Sequence, residues 1–220
     1  MAAGVSFKFQ GSKIQVILGF AQSSPVDAIQ GVSKAVEAVV SDTSHGRLSG
    51  DVIQLSNIVG MTELNGGTYI IEVLTANTYK LVGIDSTGYG TYVSGGNVAS
   101  ATLSNFCELT GYNRSGGSAP EIDTTSLCST AAEFELGLPD FGTTQIDFKY
   151  APLTNIQKQL AALQLAGTQT GVIVTLPKSG GKITQLAFVQ QTSEQSAVGA
   201  IWTGSATLRN TGAPTTYAGT

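Results

Sequence analysis

An all-β fold carrying one helix is what this chain predicts, and three observations predict it. Short runs alternate apolar and polar residues. In residues 145–150, Ile146, Phe148 and Tyr150 share one face, and Gln145, Asp147 and Lys149 the other. The 27 glycines, with Ser- and Thr-rich connectors, supply turns between such runs. Only residues 152–166 keep a helical spacing. There Leu153, Ile156, Leu160 and Leu163 form a stripe, and Gln157, Lys158 and Gln164 are polar. Thr154 is placed to cap the start and Gly167 falls just past the end.

The elements follow in order. Val5, Phe7 and Phe9 alternate with Ser6, Lys8 and Gln10, and residues 13–20 read as a second strand. Residues 21–30, with Ser23, Ser24 and Pro25, form a connector. A new block begins near residue 35. It holds strands at 51–55, 69–73 and 78–82, a loop at 60–67 with a turn at Asn65-Gly66, and a glycine-rich stretch at 83–96 carrying Tyr89 and Tyr92. Residues 101–109 resume the strand pattern, and 111–120 read as a flexible loop around Gly116 and Gly117. In the following strand, Glu133 and Glu135 occupy one face and Phe134 and Leu136 the other, and a Pro/Gly loop, residues 137–142, comes next. Beyond the helix, residues 171–176 and 182–189 make a hairpin across 177–181, and 198–208 offer a final strand. The tail from Asn210 is small and polar, and is expected to be mobile in a free subunit. The simplest organisation is a host β-sandwich, residues 1–30 with 99–220, interrupted by a small β-module at 31–98. An insertion costs little when its ends lie close together.

Charge narrows the class of protein. Charged residues are only 12% of the chain, against about 25% in ordinary proteins. With 41% hydrophobic residues, such a surface fits a subunit buried against copies of itself. The net charge is −4 and unevenly spread: −2 over residues 1–99, −5 over 100–150 and +3 over 151–220. No basic nucleic-acid footprint exists. The acidic middle and basic end suit complementary contacts between subunits. No apolar run approaches the roughly 20 residues of a membrane-spanning helix. Residues 1–6 lack the basic and apolar regions of a signal peptide, so the expectation is a reducing cytoplasm with Cys107 and Cys128 free and packed, a disulfide between them being the alternative that their spacing leaves open. Without a Cys/His cluster, no zinc site is expected, and no cofactor is expected.

Catalytic constellations are missing. His45 is the one histidine, so any Ser-His-Asp triad would need it, and no GxSxG is present. A turn or packing role suits it better. Glu133 and Glu135 are spaced as neighbours on a strand face rather than as a glycosidase pair. Gly180-Gly181-Lys182 lacks phosphate-loop spacing, and Gly88-Tyr89-Gly90 lacks a dinucleotide fingerprint.

Two segments resemble known families. Residues 45–96, with Gly60-Met-Thr-Glu-Leu-Asn-Gly66 and Tyr92-Val-Ser-Gly-Gly96, resemble the small β-barrel module of ubiquitin-activating enzymes, the first catalytic cysteine half-domain. That resemblance implies a fold, and similar modules occur in phage virion proteins. It implies no ubiquitin chemistry. Residues 107–111 (CELTG), 121–128 (EIDTTSLC), 135–142 (ELGLPDFG) and the helix after Pro152 together resemble the major tail tube proteins of long-tailed, non-contractile bacteriophages.

The second resemblance implies a tail-tube-type β-sandwich or barrel of two packed sheets flanked by an α-helix. It implies a virion protein, made and assembled in the bacterial cytoplasm, that forms homohexameric rings stacked into a tube. A tape-measure protein fills the lumen, DNA later passes through it, and a tail terminator and a tip or initiator complex are further partners. A conduit for DNA should not attract phosphate. Glu133, Glu135 and Asp147 are therefore the expected lumen-facing residues. Arg114, Gly116, Gly117, Glu121 and Asp123 are expected in an inter-ring or inter-subunit loop. The alternative is a glycan-binding decoration or receptor-binding tail protein, for which Tyr89 and Tyr92 are the candidate contacts. A tail hydrolase stands third, disfavoured by the missing catalytic groups.

Overall fold

The computed structural model describes residues 6–22 and 28–218. The chain is all-β with one helix, as its pattern predicts. It divides into two compact units. The first comprises residues 1–106, 170–184 and 214–220, and the second 107–169 and 185–213.

The first unit holds β1 (Lys13–Gln22), β2 (Gly31–Val32), β3 (Val39–Ser41), β4 (Val52–Val59), β5 (Thr68–Thr75), β6 (Thr78–Leu81) and β7 (Ser94–Asn105). Nearly all of a later strand, Gln169–Thr175, belongs to it as well. The order is β2-β3-β6-β5-β4-β7-β1 and then that later strand, with every neighbouring pair antiparallel. Ile53, Leu55 and Ile58 of β4, Tyr69 and Ile71 of β5, Tyr79 and Leu81 of β6 and Val98 of β7 pack into one apolar cluster with Ile29, Met61 and Leu64. All members of the cluster lie between Ile29 and Val98. Residues 29–98 thus build a core among themselves, with Ile29 lying just before the expected insertion.

Its sequence signature has a mechanical basis. Asn65 receives the Ile58 N–H (2.8 Å) and donates to the Ile58 carbonyl (2.9 Å), which satisfies both backbone groups of a residue where β4 ends. Glu63 accepts the Gly90 N–H at 2.9 Å and so ties the glycine-rich stretch to the loop before β5. Buried Tyr69 donates to the Leu64 carbonyl at 3.0 Å. Burial pushes its hydroxyl from an ordinary 10.0 up to about 12. As pH rises, the unfolded chain therefore loses this proton first. Tyr69's contribution is fully present below pH 10 and is lost between pH 10 and about 12. Urea titrations at a series of alkaline pH values should show that fall, and Tyr69→Phe should remove it.

The second unit contains β8 (Leu109–Arg114), β9 (Glu121–Asp123), β10 (Phe134–Leu136), β11 (Thr143–Lys149) and α1 (Asn155–Ala166). In chain order, β12 is the Gln169–Thr175 strand, and β13 (Lys182–Gln195) and β14 (Thr203–Tyr217) contribute most of their length to this unit. The order here is β13-β14-β11-β8, and β9 and β10 make a separate two-stranded sheet. Neither strand order closes into a barrel. Along β11, Thr144, Ile146 and Phe148 are buried and the alternate residues turn outward, the expected period of two.

Helix α1 follows its sequence signals at both ends. Thr154 is the extended N-cap residue, although its hydroxyl donates to the Ala151 carbonyl (2.9 Å) rather than capping. Gly167 is left-handed (φ 59, ψ 26). Its N–H reaches the Gln164 carbonyl, and Thr168 N–H reaches Leu163 (3.3 Å each), a Schellman closure. Ile156, Leu160 and Leu163 are buried as expected, but Leu153 lies before the helix and is exposed. Gln157 takes the buried place instead. It accepts from Ala151 N–H (2.8 Å) and donates to the Lys149 carbonyl (3.0 Å), using up its polarity on backbone groups.

Several expectations change. Residues 6–12 form no strand, and Val5 and the connector residues Ser23, Ser24 and Pro25 lie outside the described residues. Residues 111–114 belong to β8 rather than to a loop, because they pair with β11 from Gly111↔Asp147 to Arg114↔Thr144. The small, polar tail is not loose. β14 continues to Tyr217, and Thr215 donates its hydroxyl to the Thr184 carbonyl at 3.3 Å. Cys107 and Cys128 are free but exposed, not packed.

Candidate assembly surface

Residues 115–142 form an arm. They carry five acidic residues and no basic one. Its root is two chain segments held side by side. Ser115 N–H donates to the Thr143 carbonyl at 2.9 Å, and Asp140 N–H to the Ser118 carbonyl at 2.8 Å. A side chain cannot fit where the segments cross: a Cβ on Gly117 would stand 1.7 Å from the Asp140 carbonyl oxygen. Gly142 has φ +74, and its Cβ would meet the Ser115 carbonyl at 2.5 Å.

Buried Asn210 locks this root. Its backbone N–H reaches Gly142 (3.1 Å), its amide donates to the Phe141 carbonyl (3.1 Å), and it accepts the buried Thr144 hydroxyl (2.9 Å). Arg209 adds an exposed ion pair to Asp140 at 2.9 Å. No motif or periodicity marked Asn210, Arg209 or Asp140 beforehand. An Asn in a strand expected to have ended was the available signal.

Further out, β9 and β10 pair as Phe134↔Asp123, Glu135↔Ile122 and Leu136↔Glu121. Directly paired residues share a face. One face therefore carries Glu121, Asp123, Phe134 and Leu136, and the other Ile122 and Glu135, with Glu133 in alternation. The sequence separated Phe134 and Leu136 from the glutamates correctly, but neither face is covered. Phe134 is 57% exposed, Leu136 75% and Leu138 90%. Thr125 fastens the turn. Its hydroxyl and N–H hold Asp123 below the usual carboxylate range, and its oxygen accepts the Glu133 N–H (3.0 Å). Ser129 donates to the Glu133 carboxylate at 3.1 Å.

The singled-out residues distribute as follows. Glu133 and Glu135 are on the arm, but Asp147 is on β11 in the other sheet, where it accepts from Gln145 at 2.9 Å. Asp147 borders a polar groove of about 370 Å³ with Ser193 and Ser205, whose hydroxyls are 2.8 Å apart. Arg114 ends β8, Gly116 and Gly117 lie in the connector, and Glu121 and Asp123 are in β9.

Other candidate groups are occupied structurally. His45 accepts the Arg47 N–H (3.0 Å), contacts the Thr75 carbonyl (3.1 Å) and meets Tyr79 edge-on at 5.1 Å. That is a packing role. Tyr89 and Tyr92 pack against the cluster of the first unit, and the Tyr92 hydroxyl donates to backbone carbonyls of Ile29 and Gly95. Among the described residues, no group of three metal-ligating side chains occurs, and no helix is long and apolar enough to cross a membrane.

Residues 33–101 match the family model of the ubiquitin-activating enzyme E1 FCCH domain. The match overlaps residues 33–98 of the block expected to be an inserted module, runs on to 101, and leaves the remaining residues unassigned. No curated protein resembles the chain in sequence. Solved structures similar at low identity include two from gene transfer agent particles. A chain in the virion of a native gene transfer agent particle is 14% identical and has a TM-score of 0.42, with 52% of this chain and 88% of that one covered. A chain in the tail of an empty gene transfer agent particle, with C6 symmetry, is 15% identical and has a TM-score of 0.41, with coverages of 61% and 92%.

Proposed function

We propose that this chain is a structural subunit of a phage tail tube, assembling as hexameric rings that stack into a conduit for DNA. The arm carries this reading. A two-stranded hairpin is marginal in water by itself. This one exposes Phe134, Leu136 and Leu138 with no core beneath them. Large apolar side chains held out in this way mark a surface that another molecule covers. A chain with 12% charged residues offers copies of itself a suitable partner. The segments resembling tail tube proteins include this arm, and that resemblance supplies the hexamer, the tape-measure protein and the terminal complexes.

Within the tube, Glu133, Glu135 and Asp147 are assigned to the lumen, where like charge keeps DNA from adhering. The FCCH-like module, residues 31–98, is an insertion into the tube domain. With Tyr89 and Tyr92 engaged in packing, the glycan-binding alternative loses its candidate contacts. Electron microscopy of the concentrated chain tests the proposal. Tubes or six-fold rings are the expected result, and a chain that stays monomeric even with a tail-tip initiator would overturn it. Tubes of Glu133→Lys/Glu135→Lys should form and should bind DNA in low salt, whereas wild-type tubes should not.

A further inference from the structure

The first unit contains a cleft of about 740 Å³ that nothing in the chain's established likenesses assigns. Its floor and rim include Leu48, Leu103 and Val73, with Lys13, Lys182 and Asp51 among them. Leu48 is 55% exposed and Leu103 37%, so apolar surface lines an open cavity. The charge balance is positive. Lys182 is paired with Asp51 at 2.6 Å, Arg47 with Asp42, and Lys13 has no ion-pair partner among the described residues. Close packing shapes this wall, since a Cβ on Gly50 would meet Tyr217 at 2.7 Å and Lys182 at 3.2 Å.

We propose that this cleft receives the β9–β10 arm of a second copy of the chain, with Phe134 and Leu136 against Leu48 and Leu103, and Glu121 or Asp123 against Lys13. The inference rests on the assembly reading above and names the surface the arm docks on. Two independent complementarities select the occupant. The face of the arm carrying Glu121, Asp123, Phe134 and Leu136 combines two anions with two large apolar groups. The cleft combines a spare cation with exposed leucines. The opposite face, with Glu133 and Glu135, stays free for the lumen. Because arm and cleft are different surfaces, the contact is head-to-tail, the type that propagates into rings or filaments.

The test mixes isotopically heavy and light full-length chain at high concentration and couples amines to carboxylates with a zero-length carbodiimide. Heavy–light links from Lys13 to Glu121 or Asp123 are expected, and raising the salt to 1 M should suppress them. Lys13 is exposed, so Lys13→Glu should leave the circular dichroism spectrum unchanged. It should weaken self-association in sedimentation by about tenfold, as expected for one interfacial charge pair. The exchanged variant, Lys13→Glu with Glu121→Lys, should recover association and restore the link with amine and carboxyl swapped. Intermolecular links that leave out Lys13, or none at all, overturn the inference. Tubes forming without a Lys13 link would sink the cleft and leave the tube reading standing. A Lys13 link without tubes would do the reverse.

Discussion

Asp42→Ala should destabilise the FCCH-like module by about 3–5 kcal/mol, the usual cost of removing one partner from a buried ion pair. Asp42 is almost fully buried, and Arg47, its partner at 2.5 Å, has a side chain only 7% exposed. The guanidinium lies 5.7 Å from the centre of the Tyr79 ring, and the Tyr79 hydroxyl faces the same carboxylate at 3.4 Å. Without Asp42, a largely buried cation loses the carboxylate that offsets its desolvation. Hydrogen exchange is the measurement. Protection should collapse at Ile53, Leu55 and Tyr79, and persist in α1 and β11. Replacing both partners, Asp42→Leu with Arg47→Met, should recover most of the loss, since an apolar pair of similar volume carries no stranded charge. Unchanged protection in the single variant would show that the pair does not hold the module together.

Asn210→Ala should cost about 1–2 kcal/mol, because it removes an acceptor of the buried Thr144 hydroxyl, which keeps only Tyr112 beside it, and the donor to Phe141. The damage should be local. Exchange should quicken at Ser115, Gly142 and Thr144, where the arm joins β11, while the module keeps its protection. Asn210→Asp separates the two bonds, since a carboxylate still accepts from Thr144 but donates nothing to Phe141. Should the root tether be what presents the arm, tube assembly will fall in the order wild type, Asp, Ala. Equal assembly in all three would detach the root from the function.

Legibility followed burial. β6 and β11 could be read directly because one face is buried and the other wet, so the period of two survives in the sequence, whereas β4 and β5, buried at Val52-Ile53 and at Tyr69-Ile70-Ile71, were legible as short apolar runs. Helix α1 was readable at both ends for the same kind of reason, a cap residue and a left-handed glycine. The misreadings have other physics. The polar Thr-rich run after Asn210 carries no hydrophobic period, yet β-branched residues suit an extended ladder and it pairs as strand. Residues 111–114 sit at the edge of their unit's sheet, where only one side needs a partner, so glycine and polar residues are tolerated. Leu153 completes a helical stripe on paper but precedes the cap, and Gln157 is buried because its amide satisfies two backbone groups. The arm showed its facial segregation in the sequence. Its exposure did not show, because alternation states which residues share a side and not whether anything lies against that side.

The segment between Ile29 and Gly96 has its two ends side by side. Ala28 and Asn97 form a bridge, and the Ile29 N–H donates to the Gly96 carbonyl at 3.1 Å. The chain therefore enters and leaves this segment side by side, while Lys182 to Asp51 (2.6 Å) and the Thr184 hydroxyl to the Gly50 carbonyl (2.8 Å) stitch it to the neighbouring strands. A graft with adjacent termini would close the same gap, but it would hold its place only if it carried replacements for those two ties, so the ends make exchange geometrically simple and the flanks make it selective.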